Sequence, residues 1–469
     1  MAVDGDVEGS TSSLTAEPLL RPKSTGKRSV GMALFSTAVA VCGSFEFGAC
    51  VGYSAPTQAA IREELGLSLS EFSLFGSILT IGAMIGAITS GRIADFIGRK
   101  GAMRLSAVIC FVGWLSIYIA KGSWLLDFGR ISTGYGIGIL SYVVPVFIAE
   151  IAPTDLRGGL TTINQLMICT GVSVNYIVGT IVTWRTLVLI GVIPCIFLLL
   201  GLCVVPESPR WLAKVGHWKE FEAALQKLRG EDVDVSKEAL EIKEYIAALE
   251  LLPKTRFFEL FQRRYLNPMI VGVGLMIFQQ LGGINGIIFY ASQTFVEAGF
   301  HSGSSGTIII ASIQIPITAV GAFLMDKSGR RSLLMVSATG TFVGMLLTAI
   351  SFYVKEHGWY IDWSPYLSLI GIMVYIGSFS IGMGAVPWVI MSEIFPINVK
   401  GIGGSLVTLV NWLGTWLISY SFNFLMALNA SGTLFLFSAC CGLTILFIAI
   451  FVPETKGRTL EQIQSSMSS

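Results

Sequence analysis

Three uncharged amides, Gln279, Gln280 and Asn285, fall in one apolar run that Gly282 and Gly283 interrupt. An amide offers a donor and an acceptor from one group without fixed charge, which is what the hydroxyls of a neutral polyhydroxylated molecule need from a dry site. Within a bilayer, interrupted helix is tolerated where it lines a cavity or is covered by protein. Hydrogen bonding between neighbouring helices would use the same amides, so both readings stand at this point.

Two ionisable residues lie deep in other apolar runs. Glu46 falls about 24 Å along the first span at 1.5 Å per residue, and Arg130 lies near the outer end of the fourth. An unpaired charge there is costly, so the two are expected to pair. Glu46 and Arg130 are then either a proton-coupling site, opening on protonation, or a permanent structural ion pair.

A third set of charges repeats. GRIADFIGRK returns as DKSGRR, so that Asp95, Gly98 and Arg99 correspond to Asp326, Gly329 and Arg330; EIAPTDLRG from Glu150 returns as EIFPINVKG from Glu393; PESPR returns as PETKGR. Three repeated strings at matching helix ends mark an internal duplication. Asp95 with Arg99, Glu150 with Arg157, and Glu207 are expected to form a cytoplasmic latch, joined by Asp326 with Arg330, Glu393 with Lys400, and Glu454. Such carboxylate–guanidinium pairs would hold the two halves together on that face and part during opening.

The elements that position these residues are membrane helices. The 469 residues are 53% hydrophobic and 13% charged, with a mean hydropathy of +0.71, more apolar surface than a water-soluble chain could cover. Apolar runs of about 20 residues, enough to cross roughly 30 Å of hydrocarbon, begin near residues 30, 71, 102, 124, 160 and 185, and again near 267, 304, 332, 365, 400 and 432. The expected fold is therefore an all-α membrane protein of twelve transmembrane helices. Its parts are a cytoplasmic tail (1–29), a six-helix half (30–206), a cytoplasmic helical linker (207–264), a second half (265–453) and a short tail (454–469). The linker's KEFEAALQKLRG and KEALEIKEYIAALELL read as amphipathic helices.

Of the 31 Lys and Arg residues, the loops away from the linker hold Arg62, Lys121, Arg185 and Lys355, while the termini, linker and remaining loops hold the others apart from Arg130. Both termini and the linker therefore face the cytoplasm. A net charge of +1 gives no sign of a nucleic-acid partner. The eight cysteines lie in apolar runs without metal spacing, and His217, His301 and His357 lie outside the spans, so no cofactor, metal cluster or nucleophile–base pair is expected.

The strings GRIADFIGRK, EIAPTDLRGG, PESPRWL, FQQLGGINGIIFYAS, DKSGRR, VPWVIMSEIFP and PETKGRTLEQI resemble those of the sugar porters of the major facilitator superfamily, over essentially all of residues 30–463. GSFEFGACVGYSAPTQ, with the short EPLL near the start, is most similar to the plant early-responsive-to-dehydration six-like branch. The resemblance implies the major facilitator fold and a monosaccharide, glucose or a related hexose, held at the midplane of the lipid bilayer. It carries sugar binding to Gln165, Gln279, Gln280, Asn285, Gln314 and Asn411, with Trp388 and Trp412 offering ring faces, and an outer gate to Tyr290. Gln314 stands where many relatives have Asn, and Ser380 where many have a glutamate that contacts sugar.

Proton-coupled relatives carry an aspartate in a Gly-Tyr-Asp string of helix 1, where this chain has Gly48-Ala49-Cys50. Glu46, one turn earlier on the same face, is the candidate to take over. Proton symport and facilitated diffusion both remain open. Glu17-Pro18-Leu19-Leu20 resembles a dileucine signal and, with the branch, implies the vacuolar membrane. A sugar-sensing receptor on the same scaffold is the rival of another class, although such proteins add long cytoplasmic extensions.

Overall fold

The computed structural model describes residues 30–153, 156–231, 233–250, 260–359, 362–395 and 397–456. Every apolar run becomes helix because a backbone in hydrocarbon must satisfy its own N–H and C=O groups. The first run is α1 (Gly31–Gly52), which continues through Tyr53 into a polar extension, α2 (Ser54–Leu65). Gly66, at φ 64°, ends it.

Next comes α3 (Leu69–Tyr118), opened by a capping box in which Ser68 and Glu71 satisfy each other's backbone N–H. Its 50 residues would run about 75 Å, far more than one bilayer crossing. It breaks at Gly98, whose φ of 82° and ψ of 171° are not helical. Then follow α4 (Ser123–Ile151), α5 (Arg157–Val178) and α6 (Trp184–Val204).

The linker folds into α7 (Pro209–Lys214), α8 (Trp218–Arg229) and α9 (Ser236–Glu250) around Leu212, Phe221, Leu225 and Ile242. Arg229 ties it to the first half: its guanidinium binds Glu238 at 2.6 Å and donates to the Ile151 carbonyl at 2.8 Å, beside the end of α4.

The second half opens with a broken run: α10 (Arg263–Leu281), α11 (Ile284–Phe289) and α12 (Ala291–Ala298). The breaks fall at Gly283, in the left-handed region at φ 86°, and at Tyr290, φ −125° and ψ 27°. Then come α13 (Gly303–Ser328), α14 (Arg330–Glu356) and α15 (Ser364–Ser378). A π turn at Phe379–Met383 bends the chain into α16 (Val386–Ile394), where Gly382, Gly384 and Pro387 weaken the ladder. The chain closes with α17 (Ile397–Leu428) and α18 (Ala430–Phe451). Among the described residues, nine helical stretches are long and apolar enough to cross a membrane, and Tyr265–Leu281 is a shorter apolar helix.

The two halves pack along α3 against α17 and α5 against α13. The hydrogen bonds described between them lie at mid-height or at the end away from the linker. Asn423 donates to Ser73 at 3.0 Å, Gln58 bonds Gln293, Tyr176 donates to the Ile288 carbonyl, and Thr318 and Gln314 approach the Cys169 sulfur at 3.5 and 3.9 Å.

Candidate substrate site and charge networks

The break after α10 sets the geometry of the amides. Gln280 donates to Asn411 Oδ1 on α17 at 2.7 Å and lies 3.3 Å from Gln279 Oε1. Asn285, at the start of α11, donates to Gln280 Oε1 and approaches Thr415 at 3.4 Å. Gln279 donates to the Met383 carbonyl at 2.5 Å, a group whose helical donor would be Pro387, which has no N–H. One connected, neutral network, buried at Gln279, Gln280 and Asn411 and half-buried at Asn285, thus joins α10, α11, the π turn and α17. Its members carry no formal charge, so it offers hydroxyl partners without the desolvation cost of an ion.

Gln165 and Gln314 do not join it. Both aim at the Cys169 thiol, Gln165 at 3.8 Å from one turn away on α5 and Gln314 at 3.9 Å across the α5–α13 seam. A thiol is a weak partner, which leaves these amides free to exchange it for a better one. Trp412 lies tilted against Phe47 of α1, centroids 6.1 Å apart, so it faces the first half. Trp388 is half-buried and packs among apolar residues of the second half. Tyr290 is fully buried, stacked on Phe422 at 5.9 Å with rings 5° apart, and its hydroxyl abuts Gly76 of α3.

The expected Glu46–Arg130 pair does not form. Glu46 Oε1 accepts from the Trp114 indole at 2.5 Å and the Cys50 thiol at 3.2 Å, while Oε2 is buried without a partner. Arg130 turns to neutral acceptors: the Cys50 carbonyl at 2.7 Å, Ser54 Oγ, and the Phe75 carbonyl at 3.4 Å. The Phe75 and Tyr53 rings lie 5.0 and 5.8 Å from the guanidinium, a cation–π arrangement. Cys50 stands between the two ionisable groups, its thiol on one and its carbonyl on the other. Because Arg130 has ring faces and carbonyls nearer to hand, its charge does not need the carboxylate.

The charge networks also differ from expectation in their partners. Arg99 holds Asp95 at 3.2 Å as expected, but it also takes Glu150, with two N–H groups at 2.8 and 2.9 Å. Glu207 accepts from the backbone N–H of Arg99 at 3.2 Å and of Lys100 at 3.1 and 3.2 Å, the unsatisfied donors that the break at Gly98 exposes. The second half repeats this: Arg330 binds Glu393 at 3.3 Å, and Glu454 accepts from the N–H groups of Arg330 at 3.0 Å and Arg331 at 3.2 Å. The side chains of Arg157, Asp326 and Lys400 lie outside the described residues. Each network closes within its own half, and among the described residues no ion pair bridges the two. The reason is local: a helix that restarts after a glycine offers free N–H groups next to an arginine, and the nearest carboxylates belong to the same half.

Burial raises the Glu207 carboxyl above its ordinary 4.5, against the N–H groups of Ser208, Lys100 and Arg99. For the less covered Glu454 burial also acts upward, but the N–H groups of Lys456, Arg330 and Arg331 outweigh it and hold the carboxyl below 4.5.

Several partners escape sequence reasoning. Ser208 donates to Glu150 at 2.6 Å, the Trp211 indole donates to the Asp95 carbonyl at 2.9 Å, and Lys214 pairs with Asp95 at 2.9 Å. Ser208 and Trp211 belong to the PESPRWL string, so the motif carried the signal without the assignment. Cys169, Thr318, Gln58 and Gln293 had no signal, because they matter through contacts between halves.

The chain matches the family of sugar (and other) transporters over residues 29–466. It is 62% identical to Sugar transporter ERD6-like 16 of Arabidopsis thaliana over 443 residues, covering 94% of this chain and 92% of that one. With Sugar transporter ERD6-like 7 of the same plant it shares 59% over 451 residues, 96% and 97% of the two chains. Among solved structures it is similar to the proton:xylose symporter XylE bound to 6-bromo-6-deoxy-D-glucose, at 26% identity and a TM-score of 0.75, covering 93% of this chain and 99% of that one. To a partially occluded inward open conformation of XylE from E. coli it is 26% identical at a TM-score of 0.77, covering 91% and 99%.

Proposed function

We propose, from the premise that this chain belongs to the sugar transporter family of the major facilitator superfamily and to its ERD6-like type, that it carries a monosaccharide, glucose or a related hexose, by alternating access. The observation that carries this reading is the neutral network of Gln279, Gln280, Asn285 and Asn411, set where α10 breaks. Twelve spans, counting α3 as two and joining α10 to α12 and α15 to α16, enclose it in two six-helix halves with the linker in the cytoplasm. Gln165 and Gln314 border the path from the α5–α13 seam, Trp412 and Trp388 offer ring faces to sugar C–H surface, and Tyr290 closes the outer side against Gly76. The hydrogen bonds between halves among the described residues, at mid-height or beyond it, support a state closed away from the linker. Arg99 and Arg330 then act as braces that keep each half rigid as it rocks.

Glu46 is the proposed proton carrier, making the transporter a symporter. A carboxylate with one oxygen unpartnered at 1% exposure is disfavoured when ionised, which supports a protonated Glu46 in this state. The XylE likeness lends support, since that protein is described as a proton:xylose symporter. The test is uptake of radiolabelled glucose into liposomes holding purified protein, with and without an inward pH gradient. Accumulation above equilibrium only with the gradient, lost in Glu46→Gln while exchange persists, is the expected result. Equilibration alone makes the protein a facilitator, and no sugar flux at all removes the transport reading.

The membrane is proposed to be vacuolar, on the branch and on the Glu17-Pro18-Leu19-Leu20 string, which lies outside the described residues. Replacing Leu19 and Leu20 with alanine should move a fluorescent fusion elsewhere.

A further inference from the structure

We infer that the first half carries a binding site for one anionic phospholipid, its headgroup on Lys100, Arg104 and Lys227 and an acyl chain in the groove between α3 and α6. This stands apart from the sugar reading.

The three cations gather where α6 ends at the linker side. Arg104 donates to the Leu202 carbonyl at 2.9 Å and Lys227 to the Val204 carbonyl at 3.0 Å, each using one of several donors. The Lys100 ammonium sits near enough to feel the charges of both. Among the described residues none of the three has a carboxylate within ion-pair distance. Glu207, the nearest acid, is committed to the backbone N–H groups of Arg99, Lys100 and Ser208. Arg104 and Lys227 are exposed. Three cations, with Glu207 the one acid whose charge reaches Lys100, leave a net positive cradle for a phosphate at the height of the headgroups.

One turn further into the membrane, Val108 stands above Arg104 on the same helix face. There a groove of about 220 Å³ opens between α3 and α6, lined by Val108, Phe111, Ile196, Leu199 and Leu200 without a polar residue. A phosphate cradle stacked on an apolar groove facing the bilayer matches a phospholipid, in which the two chemistries are joined at that spacing.

The internal repeat supplies a control. It places Arg331 where Lys100 stands, but Met335 where Arg104 stands. Arg331 donates to the Ala449 carbonyl at 2.6 Å, as Arg104 does to the Leu202 carbonyl, but one turn further into the membrane no base accompanies it. The second half therefore lacks the basic residue that stands directly below the groove in the first, and its own cations Arg331 and Lys456 are held on the Ala449 and Lys327 carbonyls.

The test is native mass spectrometry of the full chain in detergent, with dioleoylphosphatidylglycerol, dioleoylphosphatidylcholine or glycerol 3-phosphate added, and thermal melting read in parallel. The expected result is one retained phosphatidylglycerol in preference to phosphatidylcholine. Arg104→Gln should weaken retention about fivefold and Lys100→Gln with Arg104→Gln about thirtyfold, at the usual worth of a basic residue near a membrane surface. Val108→Trp, at a half-exposed position, should fill the groove and weaken retention with all charges kept. Arg331→Gln should change nothing. The inference falls if phosphatidylcholine is held equally, if the double variant melts lower but keeps its lipid, or if Arg331→Gln matches Lys100→Gln. It falls equally if glycerol 3-phosphate displaces the lipid as readily as phosphatidylglycerol does, for the groove would then contribute nothing.

Discussion

Gln280→Ala strikes the amide network at its centre. Gln280 bonds Asn411 at 2.7 Å, Gln279 at 3.3 Å and Asn285. Truncation removes the one group that touches all three. In a dry site, leaving a polar partner unsatisfied costs about 1–3 kcal/mol. If a sugar hydroxyl is that partner, the Kd should rise about 5- to 150-fold at 1.4 kcal/mol per factor of ten. Asn411 and Asn285 also lose their orientation, which places the expected effect toward the upper end. A gentler perturbation acts on the same side chain, because a Cβ at Gly414 would come within 2.9 Å of Gln280 Cβ and Cγ. Gly414→Ala should therefore shift the amide without deleting it and weaken binding less. The assay is scintillation proximity binding of tritiated glucose to purified protein, with cooperative melting required of each variant. A Gln280→Ala protein that melts normally and binds within twofold of the parent refutes the assignment, since the network would then be a helix–helix seam.

Three further outcomes follow from the geometry. Gly98→Ala should destabilise by about 1–3 kcal/mol, because the residue sits at φ 82° and its new Cβ would meet Glu207 Oε2; a melting temperature equal to the parent's would contradict this. Glu207 and Glu454 should show opposite pH signatures in melting. With its pKa raised, Glu207 contributes stability below pH 4.5 that is lost as pH rises through the folded value, so Glu207→Gln gains on the parent with rising pH; with its pKa lowered, Glu454 contributes above 4.5 and loses it as pH falls, so the deficit of Glu454→Gln narrows in acid. Finally, Gln58→Cys with Gln293→Cys, oxidised across the seam where the parent amides bond, should stop sugar flux until a reductant is added; unimpeded flux in the cross-linked protein would show that the halves do not part there.

The helices themselves were legible in the order of residues. Hydrocarbon-length apolar runs must be helix, and the helices begin at Gly31, Ser123, Trp184, Gly303, Arg330, Ser364 and Ala430, within a few residues of where those runs begin. The repeated strings located Gly98 and Gly329, where positive φ demands glycine, and Gly282-Gly283 marked the break beside the amides. What the string could not carry was partner choice. Glu150 takes Arg99, 51 residues away, because distant helix ends meet at the membrane face. Glu46 and Arg130 sit at compatible depths, but depth is one coordinate of three, and the rotation of α1 and α4 puts Cys50 between them. Likewise, only packing divided the expected sugar amides into a network on the second half and two, Gln165 and Gln314, that meet at Cys169 in the α5–α13 seam. Periodicity and hydropathy fix position along a helix axis, whereas the angle around it is set by what the neighbouring helices offer.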